Sequence, residues 1–331
     1  MAVIITFIQN AIRQGICILF GANGEILTEK SGNLNLGVPG MMYMGGIAGL
    51  AAAFMYERGT QTPNPSVGFL LALIAALVAG GLGGLIYSVL TISLRANQNV
   101  SGLALTTFGV GVGNFFGGSL SKLAGGVGQI STAATASAFR LTLPVLRDIP
   151  VVGDVLFSYG ILTYIAIAVS VVLSWYLNRT RQGLCLRAVG ENPATADAVG
   201  INVTKYKYVA TCVGSGIAGL GGFYYIIDYM TSQEAYLSLE AFGWLSIALV
   251  IFALWRPHMT IIGSTVFGLL FSLGSFITNV SWIQVSMATK PLLKMLPYVV
   301  TIIVLVLSSI RNKRENQPPQ SLGLSYFREE R

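Results

Sequence analysis

Long apolar stretches follow one another through most of this 331-residue chain, and that succession restricts its fold more than any motif does. A spanning helix needs roughly 20 mostly apolar residues, and about nine such stretches occur, at 3–22, 38–56, 67–93, 99–117, 156–177, 208–229, 240–255, 259–279 and 292–310. ILTYIAIAVSVVLSWYL (161–177) and YVVTIIVLVLSSI (298–310) do not alternate polar with apolar residues, so the spans read as helices rather than barrel strands. Charged residues make up only 10% of the chain, against about a quarter in soluble domains, too few to cover a soluble surface. The expectation is an all-α polytopic membrane protein, with a membrane domain at 1–310 and a polar, solvated, partly disordered tail at 311–331. The first stretch carries Arg13 in its middle, has no basic residue before it and no small-residue cleavage site after it, and so reads as a retained span.

The net charge of +7 does not point to nucleic acid, because the basic residues sort by side. With the C-terminus inside, Lys30, Arg95, the group at 179–207, Arg256 and the tail fall on the cytoplasmic side. Arg58, Lys122, Arg140, Arg147, Lys290 and Lys294 fall on the other. This is the positive-inside bias, and with nine spans it puts the N-terminus outside. The long connection at 118–155 is then external, and its Gly, Ser, Thr and Ala content suggests a loop carrying a short helix. Cys17, Cys185 and Cys212 form no close pair and suggest neither a disulfide framework nor a metal site. His258 stands alone.

Small residues recur at helical spacing in Gly109, Gly113 and Gly117, in Gly214, Ala218 and Gly222, and in Gly80 and Gly84. Such faces let helices approach closely in lipid.

Two polar islands interrupt the apolar pattern. In RQGLCLRAVGENPATADAVGINVTKYK (181–207), Asn192 suits an N-cap, Pro193 the first helical position and Gly200 the left-handed residue that ends a helix. A helix of about two turns is expected between them, too short to hold alone in water. The other island, 24–40, is rich in Gly, Asn, Ser and Pro. Irregular backbone at membrane depth is tolerated only inside protein or beside a water-filled cavity. Asn33 and Asn35 have the donors and acceptors to meet a polar cargo. Thr106, Thr107 and Asn114 in the span 99–117 are weaker candidates for the same translocation path.

GLCLRAVGENPATADAVGINVTKYKYVATCVGSGIAGLGG and LTEKSGNLNLGVPGMMYMGG (27–46) resemble the matching segments of ABC importer permeases of the ribose and nucleoside type, closest to the nucleoside branch. NVSGLALTTFGVG, PVLRDIPVVGDVLF and GWLSIALVIFALWRP extend the resemblance over nearly the whole chain. Pro39, where many members carry glutamate, and Lys30, often arginine, depart from the pattern. The resemblance implies that the short helix is a cytoplasmic coupling helix, with Gly190, Glu191, Asn192, Pro193, Ala194, Ala196, Asp197 and Gly200 facing an ATPase subunit. It also implies a second, non-identical permease chain, an extracytoplasmic substrate-binding lipoprotein and residence in a bacterial cell membrane.

No GxxxxGK[ST] phosphate loop is present, so ATP is expected at the partner subunit, with no cofactor and no catalytic residue on this chain. A carrier driven by an ion gradient would place ionisable residues within its spans. By the apolar pattern Glu25, Glu29, Asp228, Glu234 and Glu240 all fall at ends or in loops. The expected function is therefore a nucleoside importer permease, with a simple-sugar importer as the alternative and an ATP-independent secondary transporter behind both.

Overall fold

The computed structural model describes residues 2–126, 130–139, 157–229, 239–277, 295–311 and 317–327, together with 153, 155 and 292. The residues described form a helical bundle. Its elements are α1 (Ala2–Glu29), α2 (Val38–Gly59), α3 (Pro65–Ser88, extended by a π-helical turn at Val89–Ser93), α4 (Gln98–Ala124), α5 (Ala133–Phe139) and α6 (Ile161–Arg179). There follow α7 (Arg181–Glu191), α8 (Pro193–Ala198), α9 (Val203–Phe223, with a π-helical turn at Tyr224–Tyr229), α10 (Leu239–Phe252), α11 (Pro257–Ile277) and α12 (Leu296–Arg311).

Six of these helices, α1, α2, α3, α4, α6 and α9, are long and apolar enough to cross a membrane; α10, α11 and α12 supply shorter apolar helices. Each expected span from 3–22 to 292–310 has a helix at its place, but several boundaries move. The polar residues that closed the first stretch at 22 sit inside α1, where other helices satisfy them. Asn23 donates from Nδ2 to Ser170 Oγ at 2.6 Å on α6, and its Oδ1 accepts from Thr260 Oγ1 at 3.1 Å on α11. Such bonds join helices in lipid and do not end them.

α9 is the axis of the bundle. It packs on α1, α2 and α3, and 83% of its most apolar window is buried, against 28% for α3. Small residues set close approaches between helices, among them Gly80, Gly109 and Gly214 from the spaced sets. A Cβ on Gly45 would lie 2.4 Å from the Gly219 Cα, and one on Gly109 would lie 2.4 Å from the Gly40 Cα. The outward face of α3 is Leu70, Leu71, Ile74, Leu77, Val78 and Leu82, an apolar row suited to lipid.

The short helix expected within 118–155 is α5. Glu57 on α2 caps its N-terminus, accepting from the backbone N–H groups of Ala134 and Thr135 at 3.3 and 2.7 Å. A carboxylate there meets both free amides and the helix dipole.

The tail corrects an expectation. Residues 317–327 lie against the bundle and bond to both polar islands. Ser321 N–H donates to Gly190 O at 3.0 Å, Gly323 N–H to Gly32 O at 3.3 Å and Tyr326 OH to Asp197 Oδ2 at 2.8 Å. A polar, proline-containing stretch reads as solvated because these acceptors are not visible from its own composition.

Candidate functional site

The two islands and the tail meet at the end of the bundle where α1 stops. There Lys30 shares a cavity lining with Arg187, Glu191 and Arg256, and Arg95 stacks its guanidinium 4.6 Å from the centre of the Phe327 ring. Lys30, Arg95, Arg187 and Arg256 belong to the basic residues that the charge bias assigned to one side. Arg58, assigned to the other, bonds Leu123 O at the far end of α4.

The first island is a buried, non-helical connection from Gly32 to Gly37. Buried backbone groups in such a segment need partners, and side chains from several elements supply them. Leu34 N–H donates to Gln98 Oε1 at 2.7 Å, and its carbonyl accepts from Tyr87 OH. Asn35 N–H donates to Glu25 Oε1 at 3.1 Å, Leu36 O accepts from Thr106 Oγ1 at 2.8 Å, and Gly37 N–H donates to Asn35 Oδ1 at 2.9 Å. Asn33 Nδ2 donates to Thr211 Oγ1 at 2.9 Å on α9. Gly32, at φ 87°, makes the left-handed turn that lets the chain leave α1.

Glu25 and Glu29 lie at the end of α1, as the sequence reading allowed, and are buried there. They sit one turn apart and are 2% and 3% exposed. Glu29 accepts from Trp255 Nε1, which fixes the tight turn between α10 and α11. Leu254 and Trp255 both take left-handed conformations there, with φ of 52° and 55°, a backbone state unusual for large side chains. Asp228 likewise lies within the π-helical turn that continues α9, and Glu240 is in the first turn of α10. Glu234 lies outside the described residues.

The second island is mostly helical, broken at Asn192 and at 199–202. α7 was not foreseen; Thr180 caps it, accepting from Gly183 N–H at 3.0 Å. A threonine before an amphipathic run was the available signal, masked by the glycines at 183 and 190. α8 begins and ends where its sequence indicated. Asn192 Oδ1 accepts from Thr195 N–H at 2.9 Å, Pro193 occupies the first turn, and Gly200 follows at φ 85°.

Its orientation differs from the expected docking face. Ala196 is 2% exposed and packs with Val189 and Val203 inside the chain. Pro193, Ala194 and Asp197 are half-buried, and Gly190 is buried beneath the backbone of Lys30. The outward surface is Glu191, Asn192, Thr195, Ala198, Val199 and Gly200, with Val199 71% exposed. Lys30 is partly buried beside this segment. Burial pulls its ammonium below the ordinary lysine range, and the Glu191 carboxylate opposes that shift.

The five path candidates separate into two groups. Asn33 and Asn35, each 1% exposed, and buried Thr106 hold the first island together. Thr107 and Asn114 lie on the outward face of α4, one turn either side of Gly111, among Phe108, Phe115 and Phe116. This face mixes polar, small and aromatic groups, unlike the aliphatic row on α3.

Residues 7–305 match the family described as branched-chain amino acid transport system / permease component. A nucleoside ABC transporter permease protein of Lactococcus lactis subsp. cremoris is 32% identical over 91% of each chain. A guanosine ABC transporter permease protein of Bacillus subtilis is 30% identical over 87% of each chain. A putative glucose ABC transporter permease protein of Haloferax volcanii is 33% identical, over 79% of this chain and 74% of its own length.

Proposed function

The chain belongs to the family of branched-chain amino acid transport system permease components, and from that premise we propose that it carries nucleosides inward as the permease of an ATP-driven importer. The observation that carries the cargo is the match to the nucleoside permease over 91% of both chains. The glucose permease is equally similar in identity over a shorter span and keeps a simple-sugar cargo as the second reading.

It is a multi-pass membrane permease. Nine crossings, made of the six long helices and the three shorter apolar ones, would put α7, α8 and the tail in the cytoplasm. There α8 is the coupling helix. Its caps hold a rigid two-ended element, and its outward residues Thr195, Ala198 and Val199 offer a small, largely uncharged surface to an ATPase cleft. The inward residue Ala196 and its contacts Val189 and Val203 pass any displacement of α8 to α7 and α9. Because α9 packs on three other helices, movement of its cytoplasmic end reaches the centre of the bundle.

A second, non-identical permease would face α4, where Thr107 and Asn114 border the path. An extracytoplasmic substrate-binding lipoprotein would deliver cargo to the end near Arg58 and α5. ATP is consumed by the partner subunit.

The test is reconstitution of this chain with an ATPase, a second permease and a binding protein as partners, followed by uptake of radiolabelled guanosine. Uptake that requires ATP and is competed by other nucleosides, and not by glucose, is the expected result. ATP-driven glucose uptake that nucleosides leave untouched would contradict the cargo. Uptake on an ion gradient without the ATPase would contradict the class.

A further inference from the structure

A second site lies beside the coupling segment. A cavity of about 690 Å3 is walled by the π-helical end of α3, the first residue of α4, residues 197–207 and the tail at 325–326. Its volume is in the range of sites for small organic ligands. Lys207, in the second turn of α9, lines it and is only 3% exposed. Among the described residues, no hydrogen bond or ion pair forms at its ammonium. A buried lysine without a carboxylate is costly, and such charges are ordinarily paired.

The rest of the lining favours an anion. Arg95 and Lys205 stand exposed at the rim. The chain enters both α4 and α9 here, with Gln98, Asn202 and Thr204 on the cavity wall. Asn97 and Asn202 cap these helices, accepting from Val100 and Lys205 N–H. The positive ends of two long helices therefore add to three side-chain cations. Asp197 is the one carboxylate in the lining, and one of its oxygens is taken by Tyr326 OH.

We propose that this cavity binds a phosphate group, with the Lys207 ammonium as its buried partner and Arg95 and Lys205 at the entrance. The phosphate belongs to a small cytoplasmic solute or to a lipid headgroup. A bound phosphate would tie residues 197–207 to the end of α3 and the start of α4, so occupancy would restrain the segment that moves with α8. The assignment is independent of the cargo, and its test involves no transport.

The full-length chain, purified in detergent in phosphate-free buffer, is titrated calorimetrically with inorganic phosphate, glycerol 3-phosphate and dihexanoyl phosphatidylglycerol, with glycerol as the phosphate-free control. The phosphate-bearing probes bind and glycerol does not. Lys207→Met weakens the binding by about tenfold or more, as expected for loss of a charge-assisted bond, whereas Lys207→Arg retains it. Should Lys207→Met fail to fold, Arg95→Gln with Lys205→Gln, both at exposed positions, carries the same prediction. A tighter fit for phosphatidylglycerol assigns the phosphate to a headgroup, and a tighter fit for glycerol 3-phosphate or inorganic phosphate assigns it to a solute. Binding by none of the three phosphates overturns the proposal. So does glycerol binding as tightly as its phosphate, or charge-removing variants that bind like the parent.

Discussion

The two polar islands look alike in the sequence, as breaks in an apolar pattern, yet they are solved in opposite ways. The connection from Gly32 to Gly37 is irregular and buried, and its backbone depends on Glu25, Tyr87, Gln98 and Thr106 from distant parts of the chain. The segment from Arg181 to Gly200 is mostly helical and half-exposed, and its own Thr180 and Asn192 cap it. The difference follows from composition: the connection from Gly32 to Gly37 carries no charge, whereas the second island carries arginines and acids that must reach water. A polar break in a membrane protein can thus be a core built from backbone bonds or a surface built for a partner. Side-chain charge separates the two better than hydropathy does.

That contrast makes removing a partner costly in the first island and cheap in the second. The largest effect is expected from Tyr87→Phe combined with Gln98→Leu, which strips Leu34 of both backbone partners. Each orphaned buried group costs roughly 1–3 kcal/mol, so the pair should destabilise the chain by about 4 kcal/mol. Denaturant titration of the purified protein, followed by tryptophan fluorescence, reads it. A loss no greater than that of an exposed double substitution would mean that the first island is not held as described.

A smaller effect belongs to the cap of α8. Asn192→Ala should cost about 1 kcal/mol, felt locally as faster amide exchange at Thr195 and little change in the global midpoint. If the midpoint falls as far as in the Tyr87/Gln98 variant, the two islands do not differ in the way proposed.

The smallest is Thr195→Ala on the outward face of α8. Its effect on stability should stay within about 0.5 kcal/mol, as for surface positions away from special features. A clear drop in the same titration would place Thr195 in a packed environment and remove it from the docking surface.

Much of this architecture was legible in the sequence because lipid leaves few alternatives to helices. Apolar length located the helices, small-residue spacing marked close approaches such as those at Gly80, Gly109 and Gly214, and Asn192, Pro193 and Gly200 located α8. What escaped depended on partners far away in the chain. The burial of Asn23, Glu25 and Glu29 does not show until Ser170, Thr260, Asn35 and Trp255 are placed beside them. The tail reads as solvated until Gly32, Gly190 and Asp197 supply its partners. Which side of α8 faces outward was also hidden, because a helix of six residues with alanines all round carries no amphipathic signal. Val189 and Val203 decide it by claiming Ala196.

The central claim, that the outward face of α8 is cytoplasmic and covered by an ATPase, is tested most directly by thiol protection. In a chain whose Cys17, Cys185 and Cys212 are replaced, single cysteines are introduced as Val199→Cys and Ala196→Cys, and an impermeant maleimide is added to inverted vesicles. Cysteine at 199 should label fast when the permease is alone and be protected when the ATPase subunit is bound, while cysteine at 196 should label in neither state. Labelling at 199 from outside intact cells, or labelling that the bound ATPase does not slow, would contradict the account.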